Sequence, residues 1–341
     1  MSKQPDEADS LKAGTASPDP TKGTRIVAAE VPRVRSLRDI MTASRERAFT
    51  AGQGDDKRLT TGHYRLDYIT GKIRPGFVWL IGGDTSVGKT SLLVSIADEN
   101  LLQGKKVLIV SAEDPEELYG DRFMVRRTGI DAIAYRDGKL TPDDRQKVLE
   151  AETNAGPMPV YVEAIGWKIE RLEPHLRSII KDCSIDLIAY DYIQEFESKN
   201  RHQDERTKYK EIAKVCRRVA KESKIAGVIL SQLTFSQDGK TKVPNRHNIR
   251  ECRDIANAAE VILIAFEPDK AIEDDRGDVI VPAGTKCIHV DKVKNGPRGA
   301  KVPLDWDQRS ASFRTVHDPL LPPPEVLADL HNIADEDPRY P

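Results

Sequence analysis

The chain has 341 residues, 32% charged and 38% hydrophobic, with 53 Lys and Arg against 55 Asp and Glu for a formal net charge of −2. That length fits one large domain or two small ones. The balanced charge excludes a globally basic nucleic-acid binder and leaves such a partner only a local basic surface.

Residues 1–33 are rich in Ser, Thr, Pro, Asp and Lys without periodicity, which predicts a disordered tail that lacks the apolar core of a signal peptide. Residues 34–58 read as a linker region. Ser36 opens a helix running to about Phe49, with Asp39 at the capping-box position and Leu37, Ile40 and Met41 on one side, and the Gly-rich stretch 51–56 follows. From 59 to 316, apolar runs at 77–81, 106–111, 185–191, 226–231, 259–265 and 285–291 alternate with helical stretches. Strands separated by helices predict an α/β fold with a mostly parallel, doubly wound sheet covered on both faces. Asn295–Gly299 reads as a turn between two short strands, so the sheet ends in an antiparallel hairpin. Residues 317–341 are acidic and Pro-rich, with a short helix over Glu325–Ile333. The longest apolar run, 258–266, is interrupted by Glu260 and is too short to cross a bilayer. The four scattered cysteines, Cys183, Cys216, Cys252 and Cys287, form no C-x-x-C pair and suggest neither a zinc site nor a disulfide framework. A reducing cytoplasm is the simplest compartment.

Gly83, Asp84, Thr85, Ser86, Val87, Gly88, Lys89 and Thr90 fit G-x-x-x-x-G-K-[ST], the phosphate-binding P-loop. The run lies between a strand and a helix whose Leu92, Leu93, Ile96, Ala97 and Leu101 share a side. Its backbone N–H groups and the helix N-terminus suit phosphate oxygens. Lys89 is expected to reach the β and γ phosphates of ATP, and Thr90 to ligate Mg²⁺. The bland alternative is a chance glycine loop. Asp191, at the end of the strand 185–190, has the place of a Walker B carboxylate on the Mg²⁺ shell, or else caps the next element. Glu113 follows the strand 107–110, where it can act as general base for water or serve only as a first-turn helix carboxylate. Gln232, at another strand end, is placed to sense the γ-phosphate or is an ordinary loop amide.

These residues, in this order, resemble the C-terminal motor of DnaB-type replicative helicases. The resemblance runs from Thr61-Gly-His-Tyr-Arg-Leu-Asp67, Thr70-Gly71 and Pro75-Gly76 through the P-loop, Ser111-Ala-Glu113, Asp191-Tyr-Ile-Gln194 and Ser231-Gln-Leu233. It continues to Ile249-Arg-Glu251 and Lys292-Val-Lys-Asn-Gly-Pro297, covering about residues 59–315. It implies a RecA-like P-loop NTPase that forms a hexameric ring and moves along single-stranded DNA, 5′ to 3′, using ATP at subunit interfaces. It makes Arg122 a neighbour of the nucleotide base, Lys292 and Lys294 a pair acting on the next subunit's site, and the 36–49 helix one that packs on a neighbour. It implies that two basic segments line the ring channel: Lys199, Arg201, Arg206 and Lys208 after the Walker B strand, and Lys240, Lys242 and Arg246 after the next. Solvated surface loops are the alternative for both. The C-terminal stripe is a candidate docking peptide for a loader or primase, or an unbound tail.

Three departures from the family pattern stand out. Lys294 replaces an arginine, and a lysine offers phosphate a point charge where an arginine offers a planar fork. Lys72 replaces the second glycine of Thr-Gly-Gly. The family's globular N-terminal domain has no counterpart in these residues. The competing functions are a RecA-like DNA-dependent ATPase acting in recombination without unwinding, and an ATP-gated scaffold.

Overall fold

The computed structural model describes residues 36–50, 57–156, 160–164, 167–192, 195–197, 204–233, 243–248, 253–274 and 276–314. The chain divides into two units, residues up to Asp56 and residues from Lys57 onward. The first unit contributes α1 (Leu37–Thr50). Its capping box forms as the sequence predicts: the Asp39 N–H donates to Ser36 Oγ (3.1 Å) and the Ser36 N–H to Asp39 Oδ2 (3.2 Å). The predicted tail 1–33 and the helix over 325–333 lie outside the described residues.

In the second unit the six apolar runs are strands β1 (Val78–Gly83), β2 (Val107–Ser111), β4 (Leu187–Asp191), β5 (Ala226–Gln232), β6 (Val261–Phe266) and β9 (Cys287–Val293). Short strands β3 (Tyr161–Glu163) and β10 (Lys301–Pro303) complete an eight-stranded sheet of order β10-β9-β6-β1-β5-β4-β2-β3. All neighbours from β6 to β3 are parallel, while β9 and β10 run antiparallel and form the predicted hairpin. Two-stranded ribbons β7–β8 (Ile272–Glu273, Val279–Val281) and β11–β12 (Asp305–Asp307, Ser312–Arg314) lie outside the large sheet.

The five long parallel strands β1, β2, β4, β5 and β6 carry continuous apolar runs because both faces are covered. Val78, Leu80, Leu108, Val110, Ile188, Tyr190, Ile262 and Ile264 pack with α7 (Ile169–Cys183), α8 (Glu205–Ser223) and α9 (Arg253–Ala258). Trp79, Ile81, Val107, Ile109, Leu187, Ala189, Leu263 and their neighbours pack with α3 (Lys89–Leu102), α4 (Glu116–Thr128) and the β11–β12 ribbon. The period-two alternation of a strand thus feeds two separate apolar layers. Helix spacing does the same from the other side. Ile169, Leu172, Leu176 and Ile180 of α7 are buried, and so are Ile212, Val215, Cys216 and Val219 of α8. Helices α2 (Tyr64–Thr70), α5 (Ala132–Arg136) and α6 (Pro142–Ala155) also belong to this unit. Helix α2 ends on Gly71 with φ 72°, and Lys72 follows with φ 62°. Among the described residues no helix is long and apolar enough to cross a membrane.

Candidate functional site

Parallel strands deliver their C-terminal ends to one edge of the sheet, and the P-loop, Glu113, Asp191 and Gln232 all follow from that edge. The loop leaves β1 and re-enters the chain as α3, with Gly88 in the left-handed region (φ 97°) at the helix N-cap. Glycine is required at two loop positions for space. A Cβ on Gly83 would lie 2.8 Å from Val87 Cγ1 and 3.0 Å from the Ala265 carbonyl oxygen, and one on Gly88 would press on the Phe313 ring at 3.2 Å.

Lys89 is buried, and its Nζ donates to the Asp84 carbonyl (2.7 Å), so the loop closes on its own lysine. Burial lowers the Lys89 pKa, opposed by the charges of Asp191, Asp84 and Glu113. Asp191 ends β4 opposite Ser111 of β2 and is almost wholly buried. Thr90 Oγ1 donates to its Oδ2 (3.1 Å), and the Tyr119 hydroxyl donates to the same oxygen. Burial raises the Asp191 carboxyl above its ordinary range, against the pull of those two hydrogen bonds. The adjacent hydroxyl and carboxylate are hard oxygen donors of the kind that Mg²⁺ takes in small number beside phosphate and water. The residues present therefore fit that ion.

Glu113 stands just past β2 and is exposed. Partial burial of its carboxyl, then the charges of Asp191, Asp114 and Glu195, push its pKa up to about 7. Such a group can accept a proton near neutral pH. Gln232 ends β5 in register with Gly83, and the Leu233 N–H donates to the Gly83 carbonyl (3.1 Å), so the backbone of Gln232 runs beside the start of the P-loop. Arg122 on α4 pairs with Asp114 (3.0 Å) and lies over the Tyr119 ring at 5.9 Å.

The other predicted residues are elsewhere. Lys292 and Lys294 lie at the end of β9 that pairs with the start of β6, at the opposite edge of the sheet from the chain's own P-loop. The six residues of β1 separate the two edges, roughly 20 Å of strand. Lys292 Nζ donates to the carbonyls of Ala256 (3.2 Å) and Ala259 (2.5 Å). Lys294, half exposed, lies 3.9 Å from the buried Glu260 carboxylate and 5.8 Å from the Phe77 ring. Of the basic segments, Lys199, Arg201, Lys240 and Lys242 lie outside the described residues. Arg206 and Lys208 begin α8, where Lys208 faces Glu205 (3.6 Å) and the Tyr209 ring (5.0 Å). Arg246 is engaged within the chain, its guanidinium on the Asp291 carboxylate and carbonyl (both 2.6 Å).

Sequence reasoning missed Tyr119, whose only signal is Phe123 four residues on, sharing its helix face. It also missed Lys286, Trp306 and Phe313, which come to the loop from about 200 residues away and leave no local pattern.

The chain is similar to known proteins over the same region. The family described as "DnaB-like helicase C terminal domain" matches residues 58–315. The replicative DNA helicase DnaB of Geobacillus stearothermophilus is 25% identical over 250 residues, 72% of this chain and 54% of that protein. A probable replicative DNA helicase of Trieres chinensis is 24% identical over 267 residues, 75% of this chain and 56% of that protein. The chain spans about half the length of these curated relatives. Among solved structures, an isolated ATPase domain superimposes with a TM-score of 0.70 at 18% identity, covering 84% of this chain and all of that one. A DnaB-like replicative helicase studied with primase gives the same score and identity over 84% of this chain and 68% of that one. Those likenesses establish a RecA-like ATPase fold, and the match over residues 58–315 places the chain in the DnaB-like helicase C-terminal domain family.

Proposed function

We propose that residues 59–316 are the ATP-driven motor of a ring-forming replicative DNA helicase that translocates 5′ to 3′ on single-stranded DNA. In this reading residues 34–58 link subunits, and the segments 1–33 and 317–341 are tails. The observation that carries it is the meeting of Lys89, Thr90, Asp191, Glu113 and Gln232 at one sheet edge. The P-loop amides of residues 84–88 and Lys89 bind the phosphates. Thr90 and Asp191 would hold Mg²⁺, which would supply charge neutralisation for the phosphates. Glu113 takes a proton from the attacking water. As that oxygen bonds to the γ-phosphorus, the bond to the bridging oxygen breaks and ADP leaves. Gln232 contacts the γ-phosphate, and Arg122 adjoins the base.

Lys292 and Lys294 act on a neighbouring subunit's site. Their distance from their own P-loop supports this, because a nucleotide held there is out of their reach. Lys199, Arg201, Arg206, Lys208, Lys240 and Lys242 grip DNA phosphates without reading sequence, while Arg246 has its charge engaged by Asp291. The assembly is a hexamer in the cytoplasm, served by a primase or loader. Lysine in place of the finger arginine favours one second reading, a RecA-like DNA-dependent ATPase that does not separate strands.

Nucleotide binding and steady-state hydrolysis test the site directly. Lys89→Ala is expected to abolish ATP binding, and retained affinity would overturn the P-loop assignment.

A further inference from the structure

A lysine outside every nucleotide motif lies against the back of the phosphate loop. Lys286 immediately precedes β9, its carbonyl accepts the Leu304 N–H (2.8 Å), and its side chain is 11% exposed. Its Nζ lies 3.3 Å from the Val87 carbonyl oxygen, 3.5 Å from that of Ser86, 3.2 Å from Glu267 Oε2 and 4.8 Å from the centre of the Trp306 ring. The two carbonyl distances are long for hydrogen bonds, so the contact acts as a charge on two dipoles. A trans peptide points its C=O and N–H in opposite directions. These two carbonyls belong to the peptides that carry the N–H groups of Val87 and Gly88. A positive charge fixed on the oxygen side turns those N–H groups toward the other side of the loop, where backbone amides cradle anions.

The surroundings hold the ammonium in place. Trp306 meets Phe313 edge to face at 4.8 Å, Phe313 is the ring on which Gly88 rests, and Arg126 donates to the Phe313 carbonyl (2.5 Å). Loop, ribbon and lysine therefore form one packed unit.

We propose that Lys286 is a positioning residue for the phosphate loop, fixing the Val87 and Gly88 amides in the orientation that binds the phosphates of a nucleoside di- or triphosphate. The proposal rests on the nucleotide reading of the site. A merely structural Lys286 would serve only its ion pair with Glu267.

The test is the dissociation constant of a fluorescent ADP with Mg²⁺, together with hydrogen exchange at residues 84–88, in wild type, Lys286→Met, Lys286→Arg and Lys89→Ala. Lys286→Met is expected to bind ADP about ten-fold more weakly and to exchange the Val87 and Gly88 amides faster, whereas Lys286→Arg stays within about three-fold of wild type. If Lys286→Met does not fold, Lys286→Gln carries the same expectation. Wild-type affinity and exchange in Lys286→Met, with binding lost in Lys89→Ala, would overturn the proposal alone. Undiminished binding in Lys89→Ala would overturn the nucleotide reading and the proposal with it.

Discussion

Glu113 holds its proton more tightly than an ordinary carboxyl because its carboxyl is partly buried and, secondly, because it stands near Asp191, Asp114 and Glu195. As a general base it works only when deprotonated. With its pKa at about 7, kcat/KM for ATP is expected to be full above that pH and to fall as pH drops through it. A pH profile flat from 6 to 8 would remove Glu113 from that role. Glu113→Gln is expected to lower kcat by about 10²–10⁴ with nucleotide binding retained, read by single-turnover hydrolysis beside a binding titration. Lys72 gives a residue-scale test of a different kind. It occupies a left-handed conformation (φ 62°) just after the Gly71 helix stop, and a side chain with a Cβ is strained there. Lys72→Gly is expected to raise the free energy of unfolding by roughly 1 kcal/mol, measured by denaturant titration, and a destabilised variant would contradict the assignment of strain.

At the scale of elements, the five long parallel strands were legible in sequence because each carries a continuous apolar run, the mark of a strand covered on both sides, while the antiparallel β9 mixes Ile288, Val290 and Val293 with His289, Asp291 and Lys292. Their order in the sheet was not legible, since it depends on which crossover carries each strand past its neighbours. Strands β3, β7, β8, β11 and β12 are two or three residues long, too short for any period to register. The site divides the same way. The P-loop is a contiguous pattern, and Glu113, Asp191 and Gln232 were found because each follows an apolar run. Tyr119 and Lys286 reach the site only through the folding of distant segments. Strand β9 carries the element-scale prediction. Lys294 lies at the sheet edge away from its own P-loop, so Lys294→Ala is expected to cripple hydrolysis while leaving nucleotide affinity largely intact. An arginine finger contributes about 10³–10⁵ in rate, and a lysine with its point charge contributes less. Full turnover in Lys294→Ala would remove it from the interface role.

For the whole molecule, the proposed function divides one reaction between two copies of the chain. A subunit carrying Lys89→Ala keeps Lys294, and a subunit carrying Lys294→Ala keeps its P-loop, so mixed rings contain composite sites with both groups. Hydrolysis by the mixture is expected to exceed that of either variant alone, and a mixture no better than its parts would argue against shared sites. The central claim is that such sites drive movement on DNA. The most direct measurement is steady-state ATP hydrolysis with and without single-stranded DNA, beside separation of a forked duplex carrying a 5′ tail. Hydrolysis stimulated by DNA, with strand separation lost in Lys89→Ala, is the predicted result. Stimulated hydrolysis that separates forks of neither polarity would contradict the helicase account and leave a DNA-dependent ATPase of the recombinase kind.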